Sequence, residues 1–142
     1  HVPDTLLIEQ IGYQIARTNR QLELDLEARL KPLSLSVDQF RILRCLGENG
    51  RLPMGELASS VFVEPANLTK IIDRMTSENL VMRVPDDKDR RRVLVTLAPE
   101  GTAKNATLGP IIREHDAYAR DMLAAEDGDP LRRLLAGIKV SG

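Results

Sequence analysis

The stretch from Met54 to Leu97 constrains this chain more than any other, because its apolar period changes partway along. Leu57, Ala58 and Val61 fit one face of a short helix over about 54–61. Phe62-Val63-Glu64 then makes a tight break. Pro65 suits the first position of a new helix, where its missing N–H would be unpaired anyway. Leu68, Ile71, Ile72 and Met75 follow at i, i+3, i+4 and i+7, a buried face. Ala66, Thr69, Lys70, Asp73 and Arg74 point the other way, with Asn67 at the edge. After Leu80 the period falls to two. Val81-Met82-Arg83-Val84 is a short strand, and Arg92 to Leu97 sets Val93, Val95 and Leu97 on one face of another. Pro85 to Arg91 is a polar turn with a basic tip, too long for a two-residue hairpin.

The flanks read as helices. Ile11, Ile15, Leu22, Leu26 and Leu30 form one stripe on a long helix over 4–31 that Pro32 ends. Ser36 and Gln39 form a capping box, with Leu35 and Phe40 as its hydrophobic staple. That helix runs to about Glu48, with Phe40, Leu43 and Leu46 inward, Arg41, Arg44 and Glu48 outward, and Asn49-Gly50 as its stop. A helical pattern returns from Pro99 to about Ala125, and Gly109-Pro110 should kink it. Asp129-Pro130 opens a last helix whose stripe is Leu131, Leu134, Leu135 and Ile138.

Composition narrows the functions. At 142 residues, 42% hydrophobic and 29% charged, the chain suits one ordinary domain. No apolar run approaches the roughly 18 residues of a spanning helix. The first residues lack a secretion-signal layout, so a cytoplasmic protein away from the membrane is expected. Cys45 stands alone, which forbids an internal disulfide, and His115 is the one usable histidine, too few ligands for a zinc site. No phosphate loop or nucleophile motif is present, so no enzyme, catalytic residue, metal or cofactor is expected. Net charge is −1, but residues 70–92 hold seven basic and five acidic side chains, a local +2 that leaves −3 elsewhere.

Two short helices joined by a three-residue turn and followed by a basic hairpin read as a winged helix-turn-helix. The expected fold is mainly α with a small β-hairpin wing, flanked by helical segments at both ends. The second helix presents short polar residues first and then cations, as suits base edges near its start and phosphates further along. An arginine at the hairpin tip suits a narrow minor groove, where negative potential is strongest.

Leu52-Pro53-Met54-Gly55-Glu56-Leu57-Ala58, Asn67-Leu68-Thr69-Lys70-Ile71-Ile72-Asp73-Arg74-Met75 and Asn79-Leu80-Val81 together resemble the helix-turn-helix of the MarR family of ligand-responsive transcriptional regulators. The wing, Asp89-Arg90-Arg91-Arg92-Val93-Leu94-Val95-Thr96-Leu97-Ala98-Pro99-Glu100-Gly101, is similar to that family's D-R-R signature, which ends in Leu-Thr-x-x-Gly. The resemblance covers essentially the whole chain and implies roles by position. Ala66, Asn67, Thr69 and Lys70 match base-facing positions, and Arg74 matches a backbone contact. Asp89 should orient Arg91, the minor-groove arginine, through a charge-assisted hydrogen bond. Arg90 and Arg92 match phosphate contacts or strand residues. Three residues depart from the pattern: Ala98 replaces a capping Thr, Pro53 a capping Ser or Thr, and Phe62 a turn Gly.

The resemblance also implies a homodimer that places two reading helices on double-stranded DNA, at half-sites of a pseudo-palindrome about one duplex turn apart. Residues 1–34 and 99–142 would form the dimerisation region and 35–98 the DNA-binding region. The expected function is a repressor released by a small aromatic or anionic effector. Tyr13, Arg17, Arg41, Arg44, His115 and Tyr118 are the candidate effector residues, with arginines to pair a carboxylate. Two other functions stay open on the residues alone. Cys45 near Arg41 could sense oxidants, and a winged-helix module could bind protein without DNA.

Overall fold

The computed structural model describes residues 4, 6–123 and 129–139. After a 3₁₀ turn at Leu7–Glu9, helix α1 spans Ile11–Leu30. It begins later than the expected 4–31 because Gln10 is extended, at φ −73° and ψ 130°. A second 3₁₀ turn, Lys31–Leu33, holds Pro32 and ends with Ser34 left-handed. Helix α2 spans Val37–Asn49. Its capping box is complete: Gln39 N donates to Ser36 Oγ at 3.1 Å, and Ser36 N to Gln39 Oε1 at 3.0 Å. Its buried face is Val37, Gln39, Ile42, Leu43 and Leu46, with Phe40 half-buried beside the core.

Strand β1, Arg51–Pro53, precedes α3, Met54–Val61, and α4, Pro65–Ser77. Strands β2, Val81–Pro85, and β3, Val93–Leu97, follow. The expected two-stranded hairpin is therefore a three-stranded antiparallel sheet in the order β1-β3-β2. Leu52 opposes Val95 on one side of β3, and Arg83 opposes Val95 on the other. Three residues are too few to show alternation, and a proline there is tolerated because β1 lies at the sheet edge.

The pattern from Pro99 forms two helices rather than one kinked helix: α5, Pro99–Ala106, and α6, Gly109–Met122. The break falls at Thr107 and Leu108, and Pro110 lies in the first turn of α6, where it removes no hydrogen bond. The expected end near Ala125 lies outside the described residues. Helix α7 is Asp129–Ala136, opened as expected at Asp129-Pro130.

The core joins α2, α3, α4 and the sheet. Ile42, Leu43, Leu46, Leu57, Val61, Leu68, Ile72, Met75, Val81 and Val95 are all fully buried. Gly101 packs onto the Leu80 backbone, so closely that a Cβ there would overlap the Leu80 carbonyl. That carbonyl accepts a 3.0 Å hydrogen bond from Ala98 N. The lower half of α1 joins the core through Leu26 and Leu30, but its upper half does not, and Ile11 stays 74% exposed. No helix among the described residues is long and apolar enough to cross a membrane.

Candidate nucleic-acid interface

The amphipathic pattern of α4 decides which side chains are free. Leu68, Ile72 and Met75 are buried and Ile71 packs beside them, so Ala66, Asn67, Thr69, Lys70, Asp73 and Arg74 are exposed. Pro65 occupies the first turn as expected, and Glu64 is the N-cap residue without a side-chain cap. Before it, Phe62 turns the chain in the left-handed conformation, at φ 61° and ψ 41°.

The exposed cations divide into two sets. Arg74 Nε donates to Glu78 Oε1 at 3.0 Å, and Arg83 Nη2 to Asp73 Oδ1 at 2.7 Å. Lys70, Lys88, Arg90 and Arg92 have no side-chain partner among the described residues. The Thr69 hydroxyl donates to the Pro65 carbonyl at 3.2 Å, leaving its oxygen free to accept.

Carboxylates shape the wing tip. Asp86 Oδ1 accepts from Lys88 N at 2.9 Å. Asp89 Oδ1 accepts from Arg91 N at 3.1 Å and from Arg91 Nε at 3.4 Å, and the Arg91 side chain is still 93% exposed. The turn closes through Asp86 N to the Arg92 carbonyl and Arg92 N to the Asp89 carbonyl. The Asp73–Arg83 pair links the outer face of α4 to strand β2. Sequence reading missed this pair because the two residues lie ten apart on different elements, at a spacing that carries no local signal. Arg92 faces an open recess with Pro53, Gly55, Glu56, Ser59 and Ser60.

The six candidate effector residues fall in separate places. Arg41 and Arg44 share a recess of about 390 Å³ with Phe40, Cys45 and Phe62. Arg41 lies 6.0 Å from the Phe62 ring centre and 3.5 Å from Glu23 Oε1, and Arg44 donates to Asn105 Oδ1 at 3.1 Å. His115 and Tyr118 lie on α6 against α1: His115 Nδ1 is 2.8 Å from Asp25 Oδ2, and Tyr118 OH accepts from Gln21 at 2.9 Å. Tyr13 and Arg17 are exposed on α1 and line neither place. Cys45 packs beside the core, with Asn49 Nδ2 3.7 Å from its sulfur. Burial pushes the Asp25 carboxyl up, but hydrogen bonds from Arg29 and His115 outweigh it and hold its pKa below the ordinary value.

Residues 35–93 match the MarR family. The HTH-type transcriptional regulator FarR of Neisseria gonorrhoeae is 32% identical over 107 residues, 75% of this chain and 73% of FarR. The uncharacterized HTH-type transcriptional regulator YsmB of Bacillus subtilis is 36% identical over 93 residues, but the match spans only 62% of its length. Among solved structures, a mutant MarR from E. coli complexed with operator DNA superposes with a TM-score of 0.81 at 27% identity, covering 94% of this chain and 97% of that one. NadR in complex with 4-hydroxyphenylacetate superposes at 0.77 with 27% identity, covering 95% and 96%.

Proposed function

This chain belongs to the MarR family, whose members are DNA-binding transcriptional regulators and not enzymes, and from that premise we propose that it is a repressor which binds a pseudo-palindromic operator as a homodimer and leaves it when a small ligand binds. One observation carries the proposal. The exposed polar face of α4, with Lys70 unpartnered, borders a wing whose tip bears Arg90 and Arg91. In this assignment Ala66, Asn67, Thr69 and Lys70 meet base edges in the major groove. Arg74 and Arg90 meet phosphates, and Arg91, oriented by Asp89, enters the minor groove. The E. coli MarR complex with operator DNA supports it by analogy of fold.

Residues 35–98 then form the DNA-binding region, and 1–34 with 99–142 the dimerisation region. The surface of α1 and α7 supports this division. Leu134 is 72% exposed, and Ile15, Leu135 and Ile138 are about half exposed. Beside them an apolar groove of about 300 Å³ is lined by Ile11, Ile15, Leu22, Leu123, Leu131 and Leu135. A chain that buries so little of two amphipathic helices has apolar surface left for a second copy. For the ligand, the recess holding Arg41 and Arg44 offers two guanidinium groups and an aromatic ring, chemistry suited to a small aromatic acid. NadR, whose solved complex holds 4-hydroxyphenylacetate, supports that class.

Gel-shift titration of the purified protein on the DNA flanking its own gene tests the proposal. A specific complex is expected whose affinity falls steeply with salt, as counterions are released. Absence of any specific band at low salt would refute it.

A further inference from the structure

Asp73 is a residue that electrostatics alone would keep off this surface. By helical spacing it shares the outer face of α4 with Ala66, Thr69 and Lys70, and its side chain is 62% exposed. A carboxylate there lies within a Debye length of any phosphate which that face receives, so by its charge it opposes binding. Its Oδ1 instead accepts a 2.7 Å hydrogen bond from Arg83 Nη2. Arg83 lies in β2, an edge strand of the sheet, opposite Val95 and two residues before Pro85 ends the strand. Among the described residues no other side-chain hydrogen bond or ion pair joins α4 to the wing.

The inner side of the same joint is apolar, with Leu80 and Val81 buried in one cluster with Ile72 and Met75. Apolar contact is non-directional. A carboxylate held by a planar guanidinium fixes direction as well as distance. The strand continues two residues past Arg83 to Pro85 and the loop reaches further, so the tip arginines lie at least about 10 Å from the joint at strand rise. A rotation of about 10° at the joint would therefore move the tip by roughly 2 Å, enough to break a hydrogen bond.

We propose that Asp73 is a positioning residue for operator binding: it acts through Arg83 to hold the wing at a fixed angle to α4, so that the reading face and the tip arginines reach adjacent grooves together. This rests on α4 and the wing being the DNA-binding surface proposed above. Asp73 then costs general attraction to DNA and gains geometry, so its removal acts on sequence-specific binding rather than on all binding.

The test uses the full chain and a duplex that the wild-type protein enriches from a random library, with a scrambled duplex beside it. Asp73→Asn is expected to weaken binding to the enriched duplex by about tenfold and to leave binding to the scrambled duplex unchanged or tighter. In an Arg83→Gln background Asp73→Asn should add no further loss, and Asp73→Glu should recover part of the wild-type affinity. Should Asp73→Asn fail to fold, the exchange of Asp73→Arg with Arg83→Asp keeps the pair and should bind the enriched duplex more tightly than either single exchange. Three results would overturn the proposal: undiminished binding of Asp73→Asn to the enriched duplex, equal loss on both duplexes, or losses that simply add to those of Arg83→Gln. If the wild-type protein enriches no sequence, the repressor function itself fails, which is a different result from a variant that behaves like wild type.

Discussion

Lys70 and Arg91 differ in what each would give up to meet DNA in the proposed complex. Lys70 is unpartnered, so it contributes its charge at no internal cost. Arg91 is held at 3.4 Å by Asp89, an orientation rather than a neutralisation, since the side chain stays exposed. Lys70→Ala should lower the slope of log affinity against log salt by about 0.9 if Lys70 meets one phosphate, or weaken binding at one base pair if it meets a base edge. Arg91→Ala should weaken operator binding by about tenfold while the protein stays folded and its oligomeric state is unchanged. Retained affinity in both variants would mean that another surface binds the DNA. Phe62 concerns stability instead. The residue is 82% exposed, so little burial offsets the left-handed backbone. Phe62→Gly should raise unfolding stability by about 1 kcal/mol, read from denaturant titration.

Where elements meet, two contacts govern how the helices sit. Gly101 lets α5 start directly against the strand entry at Leu80. Gly101→Ala should cost about 1–3 kcal/mol, because the obstruction is backbone and cannot rotate away. Asp25 ties α1 to α6 through His115 and is shared with Arg29 on α1. Its pKa is lower in the folded chain than in the unfolded one. The stabilisation is therefore fully present above the ordinary carboxylate pKa, and it is lost as pH falls through the lowered folded value. Thermal melts across the acidic range should show this loss, and Asp25→Asn should be less stable at neutral pH with a flatter acid limb. An unchanged acid limb in that variant would show that other carboxylates set it.

At the scale of the molecule, the outer faces of α1 and α7 carry the exposed apolar surface. The winged-helix part is packed within one chain, whereas the terminal helices leave Ile11 and Leu134 in solvent. If a second copy covers them, Leu134→Asp should shift sedimentation toward the monomer. It should also weaken operator binding more than any single DNA-face substitution, because two linked reading helices bind with an avidity that one lacks. A monomeric wild-type protein would count against the dimer and leave the single-subunit DNA surface intact.

The sequence by itself determined the local elements. The capping box at Ser36 and the i, i+3, i+4, i+7 face of α4 are written in neighbouring residues, and the structure has both; β3 forms where the alternation placed it, but of Val93, Val95 and Leu97 only Val95 is fully buried and Val93 is 45% exposed. The sequence also carried the family, because the wing signature is contiguous. Tertiary structure alone decided β1, the split between α5 and α6, the Asp73–Arg83 pair and the scattering of the candidate effector residues. These depend on groups distant along the chain, whose pairing leaves no period in the sequence. Three residues such as Arg51–Pro53 become a strand only because β3 offers them hydrogen bonds, and a carboxylate on the outer face of α4 makes sense only once the arginine it holds is in view.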